Sequence, residues 1–268
     1  MLRDERKIAE LSQGWGEALA SWAVPDELLA KSPTSPYRLN PDKFKPDQSR
    51  RSSGTVRELE RLATDQKRAP RSLIDVGSAA GGISLLVAAS FEKIVAVDQS
   101  KEMLDAFEEN ATALGFAERI RTVNSAWPTT LSLTADIVLN ANVLYNVPNP
   151  APFVAALIDA ATQSVVIEVT RNHPLSNVNA LYEHFHHIKR PTTPTANDVI
   201  ELVKAFGYSP KIESWIRTTS GPSHTSQERL NEYQSRACIE ENRREELREY
   251  LNGHELPPME VVMISFDK

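Results

Sequence analysis

The sequence holds one cysteine in 268 residues, Cys238. That excludes an internal disulfide and any zinc site built on several thiolates. No apolar run approaches the length that spans a bilayer. The opening residues, Met-Leu-Arg-Asp-Glu-Arg-Lys, lack the apolar stretch of a secretory signal. A soluble, cytoplasmic protein is therefore expected. Positive charge is not in excess, since 30 Lys and Arg against 36 Asp and Glu leave a net charge of −6. Such a chain is a poor generic binder of nucleic acid, because phosphate repels it. Repeats and low-complexity tracts are missing too. What is present is enough apolar material, 41% of the residues, to build a core and exclude wholesale disorder.

The pattern along the chain is an alternation of short β-rich runs with helical periodicity. Residues 1–30 predict a helix, with Leu11, Trp15, Leu19 and Trp22 spaced three or four apart. Residues 31–54, with Pro33, Pro36, Pro41 and Pro46, read as a linker. From Arg38 to Arg71 ten Lys and Arg face five Asp and Glu, a solvated basic face or a docking site for an acidic partner. A helix is expected over 55–66. Strands are expected over 72–76, 93–97, 119–123, 135–139, 164–169, 211–217 and 261–266. Helices are expected over 83–90, 100–114, 150–161 and from Thr195 to Gly207. Alternation at this spacing implies an α/β fold with a parallel sheet covered on both faces, ligands binding beyond the strand ends. Two stretches interrupt it: 172–196, after a buried strand, and 220–254, whose residues Thr225–Asn252 read as one long charged helix. Either insertion can build a lid or pocket, and the helix can equally serve a homodimer. The expected organisation is an N-terminal helical cap and linker, 1–54, and an α/β domain, 55–268.

Glycine is scarce, ten in all, yet Gly77, Gly81 and Gly82 fall within six residues. The stretch Leu73-Ile74-Asp75-Val76-Gly77-Ser78-Ala79-Ala80-Gly81-Gly82-Ile83 reads as a strand, a tight turn with bare amides, and a helix start. Asp98 lies 21 residues after Gly77, at the end of the next strand, where a carboxylate can accept both hydroxyls of a ribose. The pair argues for an adenosine-type cofactor. Two readings remain. Gly77-x-Ala79-x-x-Gly82 approximates a dinucleotide fingerprint and implies an NAD(P)-dependent oxidoreductase. Asp75-x-Gly77-x-Ala79-x-Gly81 resembles motif I of the class I S-adenosylmethionine-dependent methyltransferases. Val97-Asp98-Gln99-Ser100-Lys101-Glu102-Met103-Leu104 is similar to that family's ribose-binding segment. The stretch 136–147, from Asp136 to Val147, is similar to its fourth strand and following loop.

The resemblance covers roughly residues 55–268 and implies a Rossmann-like, seven-stranded, mostly parallel sheet with helices on both faces. It implies S-adenosyl-L-methionine as cofactor, held by Asp75, Gly77, Ser78, Ala79, Gly81, Asp98, Gln99, Met103, Ser125, Ala126, Trp127 and Asn140. Ala79 stands where the family usually has a glycine, and Ser125 stands near its usual acidic residue. These departures motivate a further alternative, a methyltransferase-like protein that binds without catalysing. The activity implied is methyl transfer, with a small molecule as default acceptor: no Asn-Pro-Pro-aromatic motif follows the fourth strand, and Cys238 lies far from the expected cofactor loops. His173, at a strand end, and Tyr145 are the candidate catalytic residues. His184, His186 and His187 with Glu183 are close in sequence, but no diagnostic zinc spacing is completed, so no metal is expected.

Overall fold

The computed structural model describes residues 2–37, 40–217 and 226–268. Seven strands form one sheet in the order β3-β2-β1-β4-β5-β7-β6. They are β1 Ser72–Val76, β2 Lys93–Asp98, β3 Ile120–Asn124, β4 Ala135–Ala141, β5 Ala161–Thr170, β6 Lys211–Ile216 and β7 Glu260–Asp267. The first five are mutually parallel, and β7 runs antiparallel to both β5 and β6. Strand order reverses between β1 and β4, so a crevice opens beyond their carboxyl ends.

The buried strands read as continuous apolar runs because helices cover both faces. On one face lie α3 (Gly54–Ala63) and α4 (Lys101–Ala113), with Val56, Leu59, Leu104 and Phe107 packed on Leu73, Ile94, Leu139 and Val166. On the other lie α1 (Glu5–Ala20), α5 (Pro150–Ala160) and α7 (Ala196–Ala205), packed on Ile74, Val138 and Ile167. The helix starts follow local chemistry. The Ser100 hydroxyl accepts from Met103 N–H at the head of α4, and Thr195 and Asp198 form a reciprocal capping box on α7.

A third apolar cluster stands apart from the sheet. It joins Trp22, Val24 and Leu28, the last in α2 (Asp26–Leu29), to Leu181, Tyr182 and Phe185 of α6 (Asn179–His186). It also takes Leu230 and Tyr233 of α8 (Gln227–Arg236) and Leu247 and Leu251 of α9 (Arg244–Gly253). Because α6 follows β5, and α8 and α9 connect β6 to β7, this cap rises from the carboxyl edge.

Two expected helices take another form. Residues 225–252 are not one helix: Thr225 lies outside the described residues, and α8 and α9 are separated at 237–243. Cys238 turns there with φ of 52° and is buried with Ala237 and Ile239, not held in a charged helix. Tertiary partners make the break favourable. Tyr182 donates its hydroxyl to Arg236 C=O (3.1 Å) and His186 Nε2 bonds Ala237 C=O (2.7 Å), satisfying carbonyls that a continuous helix would use. Residues Ser84–Ser90 form a tight 3-10 run, its Ser84 hydroxyl drawn down to Asp75.

Candidate active site

The turn after β1 is built by three residues in the left-handed region: Gly77 (φ 71°), Ala79 (φ 44°) and Gly81 (φ 84°). Gly77 leaves no room for a side chain, since a Cβ would collide with Val143 from the loop after β4. Ala79 adopts a left-handed conformation that glycine would take freely, at a cost of about 1 kcal/mol. Its amide is used: Ala79 N–H donates to Asp98 Oδ2 (2.9 Å), and Ser100 N–H donates to Oδ1 (2.8 Å). Gly77 N–H and Ser78 N–H both donate to Val97 C=O (2.8 and 3.1 Å). The half-buried Asp98 carboxylate is thus fixed from two sides with lone pairs left over.

Beneath the turn, Asp75 is buried and accepts the Ser84 hydroxyl at 2.5 Å. Burial raises its pKa to about 7, the Ser84 bond opposing and the Asp98 charge adding to the rise. Asn140 is fully buried at the end of β4, adjacent in register to Val76, and donates Nδ2 to Val76 C=O (2.9 Å). Its Oδ1 has no partner, and neither has the buried Ser78 hydroxyl. The amides of Gly77, Ser78 and Ala79 are engaged within the protein, and that of Gly81 by Ser78 C=O (3.0 Å), so it is the two orphaned acceptors beside the turn that suit a ligand with donors.

The remaining expected cofactor residues fall around the ends of β2 and β3. Ser125 N–H donates to Asp98 C=O (3.0 Å), and Asn124 Nδ2 donates to Gln99 C=O (3.0 Å). The Ser125 hydroxyl lies 3.0 Å from both Ala126 C=O and Thr129 Oγ1. Met103 is buried in α4. Trp127 is half-buried against the core and donates Nε1 to Phe153 C=O (3.3 Å).

The two candidate catalytic residues do meet. His173 stacks on Trp22 with centroids 4.0 Å apart, Tyr145 meets it edge-on at 5.3 Å, and Trp15 stacks on Tyr145 at 5.3 Å. Tyr145 gives its hydroxyl proton to Thr170 C=O (2.8 Å), and burial pushes its pKa well above the usual phenol value. His173 Nδ1 accepts from Leu175 N–H (3.2 Å), which places the neutral ring's proton on Nε2. Burial, then Arg190 and Arg236, lower its pKa to about 4. The other histidines of this stretch disperse. His184 faces Glu246 (3.4 Å), His186 caps α8, and His187 ends α6 with φ of 58°.

A polar group that sequence reasoning missed lies at the same edge. Glu168 of β5 is buried. It accepts the Thr55 hydroxyl on Oε2 (2.6 Å) and Asn142 Nδ2 on Oε1 (2.7 Å), with Arg217 Nη2 at 3.4 Å. Asn142 sits at φ of 60°. The legible signal was one carboxylate inside Val-Val-Ile-Glu-Val, since a charge in a buried strand needs partners. The basic stretch is largely neutralised: Arg61 pairs with Glu58, Arg57 with Glu213 and Arg68 with Asp267. Arg38 lies outside the described residues.

Residues 74–162 match the model of a methyltransferase domain, a span holding the glycine turn, Asp98 and Asn140. That match displaces the dinucleotide reading. No curated protein matches the chain. Among solved structures, the YcgJ protein of Bacillus subtilis is 15% identical with a TM-score of 0.55, over 80% of this chain and 97% of that one. Magnesium protoporphyrin IX methyltransferase of Synechocystis PCC 6803, solved with S-adenosylhomocysteine, is 10% identical with a TM-score of 0.55, over 98% and 99%. Coclaurine N-methyltransferase, solved with N-methylheliamine and S-adenosylhomocysteine, is 17% identical with a TM-score of 0.52, over 98% and 88%. Residues 74–162 are thus similar to a methyltransferase domain, and the seven-stranded fold around them is the one these solved structures share.

Proposed function

We propose that this protein transfers a methyl group from S-adenosylmethionine to a small-molecule acceptor at the carboxyl edge of β1, β4 and β5. The carrying observation is the turn at Gly77–Gly81 locked to Asp98, with two orphaned acceptors, Asn140 Oδ1 and Ser78 Oγ, beside it. When bound, the cofactor supplies an electrophilic methyl on a sulfonium. Asp98 would take the ribose hydroxyls, and Asn140 Oδ1 the ammonium of the methionine portion. Ser125, Ala126 and Trp127 would border the adenine.

The protein's share of catalysis is alignment and exclusion of water. Tyr145 and His173 serve it by position. Tyr145's proton is committed to Thr170, and His173 presents an N–H, so neither offers a basic lone pair. With Trp15 and Trp22 they form an aromatic wall between sheet and cap. A small acceptor also fits the acidic net charge and the neutralised basic stretch.

The test is a thermal shift with S-adenosylmethionine, S-adenosylhomocysteine, NAD and NADP. At one hundred times its dissociation constant a ligand adds about 2.7 kcal/mol. A shift with the two sulfur cofactors alone is expected. A shift with NAD or NADP alone would overturn the reading.

A further inference from the structure

Glu168 is a buried carboxylate on β5, in register with Ala141 at the end of β4. Neither the cofactor contacts nor the aromatic wall uses it, so its burial needs another reason. Its grip on Asn142 is double. Asn142 N–H donates to Glu168 C=O (2.7 Å), and Asn142 Nδ2 donates to Oε1 (2.7 Å). Asn142 stands in the left-handed region, at φ of 60°. A residue other than glycine keeps that conformation only where its surroundings over-determine it. The second carboxylate oxygen, Oε2, accepts the Thr55 hydroxyl (2.6 Å) from the first turn of α3, which fixes the direction in which Oε1 points. Arg217 Nη2 stands 3.4 Å from Oε1. Val143 follows Asn142 directly, and its side chain fills the space where a Cβ on Gly77 would stand. A continuous line of contacts thus runs from β5 through Glu168, Asn142 and Val143 to the glycine turn. Tyr145 lies two residues farther along the same loop.

We propose that Glu168 is a positioning residue: through Asn142 it sets the loop after β4 against Gly77, and so shapes the crevice for the amino-acid end of S-adenosylmethionine. This deepens the methyl-transfer reading and rests on it. The sheet order gives the effect a direction. Asp98 ends β2 and Ser125 follows β3, so the nucleoside would lie on that side of the turn. Asn140, assigned to the ammonium, precedes Asn142 by two residues and bonds Val76 C=O beside Gly77, on the side where β5 lies. Loosening the loop therefore weakens the hold on the amino-acid end and spares the nucleoside.

The experiment titrates the full chain in a calorimeter with S-adenosylhomocysteine and with 5′-methylthioadenosine, which keeps the nucleoside and lacks the amino-acid portion. Glu168→Met removes both acceptor oxygens at similar size. It is expected to bind S-adenosylhomocysteine about tenfold more weakly, the scale of one hydrogen bond to a charged group, and 5′-methylthioadenosine within about twofold of the unaltered protein. Glu168→Gln, which keeps one carbonyl acceptor for Asn142 Nδ2, should restore most of the loss. Should Glu168→Met not fold, Asn142→Gly takes the left-handed conformation freely, lacks the side-chain tether and should give the same split. A carboxylate with a purely structural role lowers the urea midpoint and leaves both affinities alone or shifts both alike, and either result overturns the proposal. Failure of the unaltered protein to bind S-adenosylhomocysteine instead overturns the methyl-transfer reading. Hydrogen exchange at the Gly77 amide then decides the brace: faster exchange in Asn142→Gly supports it, and unchanged exchange overturns it.

Discussion

The sheet and the cap bury apolar residues by different routes. The sheet takes its core from neighbours in a continuous alternation, so Leu73, Ile94 and Leu139 reach one cluster through successive strands. The cap gathers Trp22, Tyr182, Leu230 and Leu251 from three distant segments into a core of its own. The first is dictated locally. The second exists only once the rest of the chain has brought its pieces together. The sheet is therefore expected to set global stability, and the cap to open separately.

Leu139→Ala in the sheet should show the largest effect, about 2–5 kcal/mol of global stability, read by urea unfolding. Leu247→Ala, equally buried in the cap, should instead speed amide exchange in α6, α8 and α9 while β1 and β4 stay protected. Equal loss of protection in both regions would erase the distinction.

Acid–base behaviour sharpens it. Asp75 has a folded pKa of about 7 against 3.8 for the free carboxyl. The unfolded chain loses that proton first, so stability falls as pH rises from about 4 to 7, by up to about 4 kcal/mol. Asp75→Asn should flatten this limb. His173, between sheet and cap, is depressed to about 4 from 6.5. The unfolded chain gains that proton first, so stability is full above 6.5 and lost toward pH 4, by up to about 3 kcal/mol. His173→Gln should remove that opposite slope, and cap exchange at pH 5 should report it. The smallest effect concerns the ligand: Asp98→Ala should weaken S-adenosylmethionine binding by about 1–3 kcal/mol in a titration.

The same contrast explains what was legible. The glycine turn, Asp98 at the end of the next strand and the helix starts at Ser100 and Thr195 are each written in a few neighbouring residues, and the structure forms them where they were read. The break at Cys238 carries no glycine or proline. Its cause is Tyr182 and His186, more than fifty residues away. Glu168 was visible as an oddity, but Thr55, Asn142 and Arg217 converge on it from 113, 26 and 49 residues distant. Spacing alone gives no register for such meetings. The helix expected over 83–90 looked plausible by composition, yet the pull of Asp75 on Ser84 tightened it.

The cap's composition also fixes an order of events during synthesis. Its core needs Trp22 near the start and Leu256 near the end. All five parallel strands are complete by Thr170. A chain leaving the ribosome can thus collapse around its parallel core early, while the long loops closing the cap must wait for Leu256. The crevice acquires its roof late, and a chain truncated before Leu256 would carry its glycine turn beneath an unfinished one.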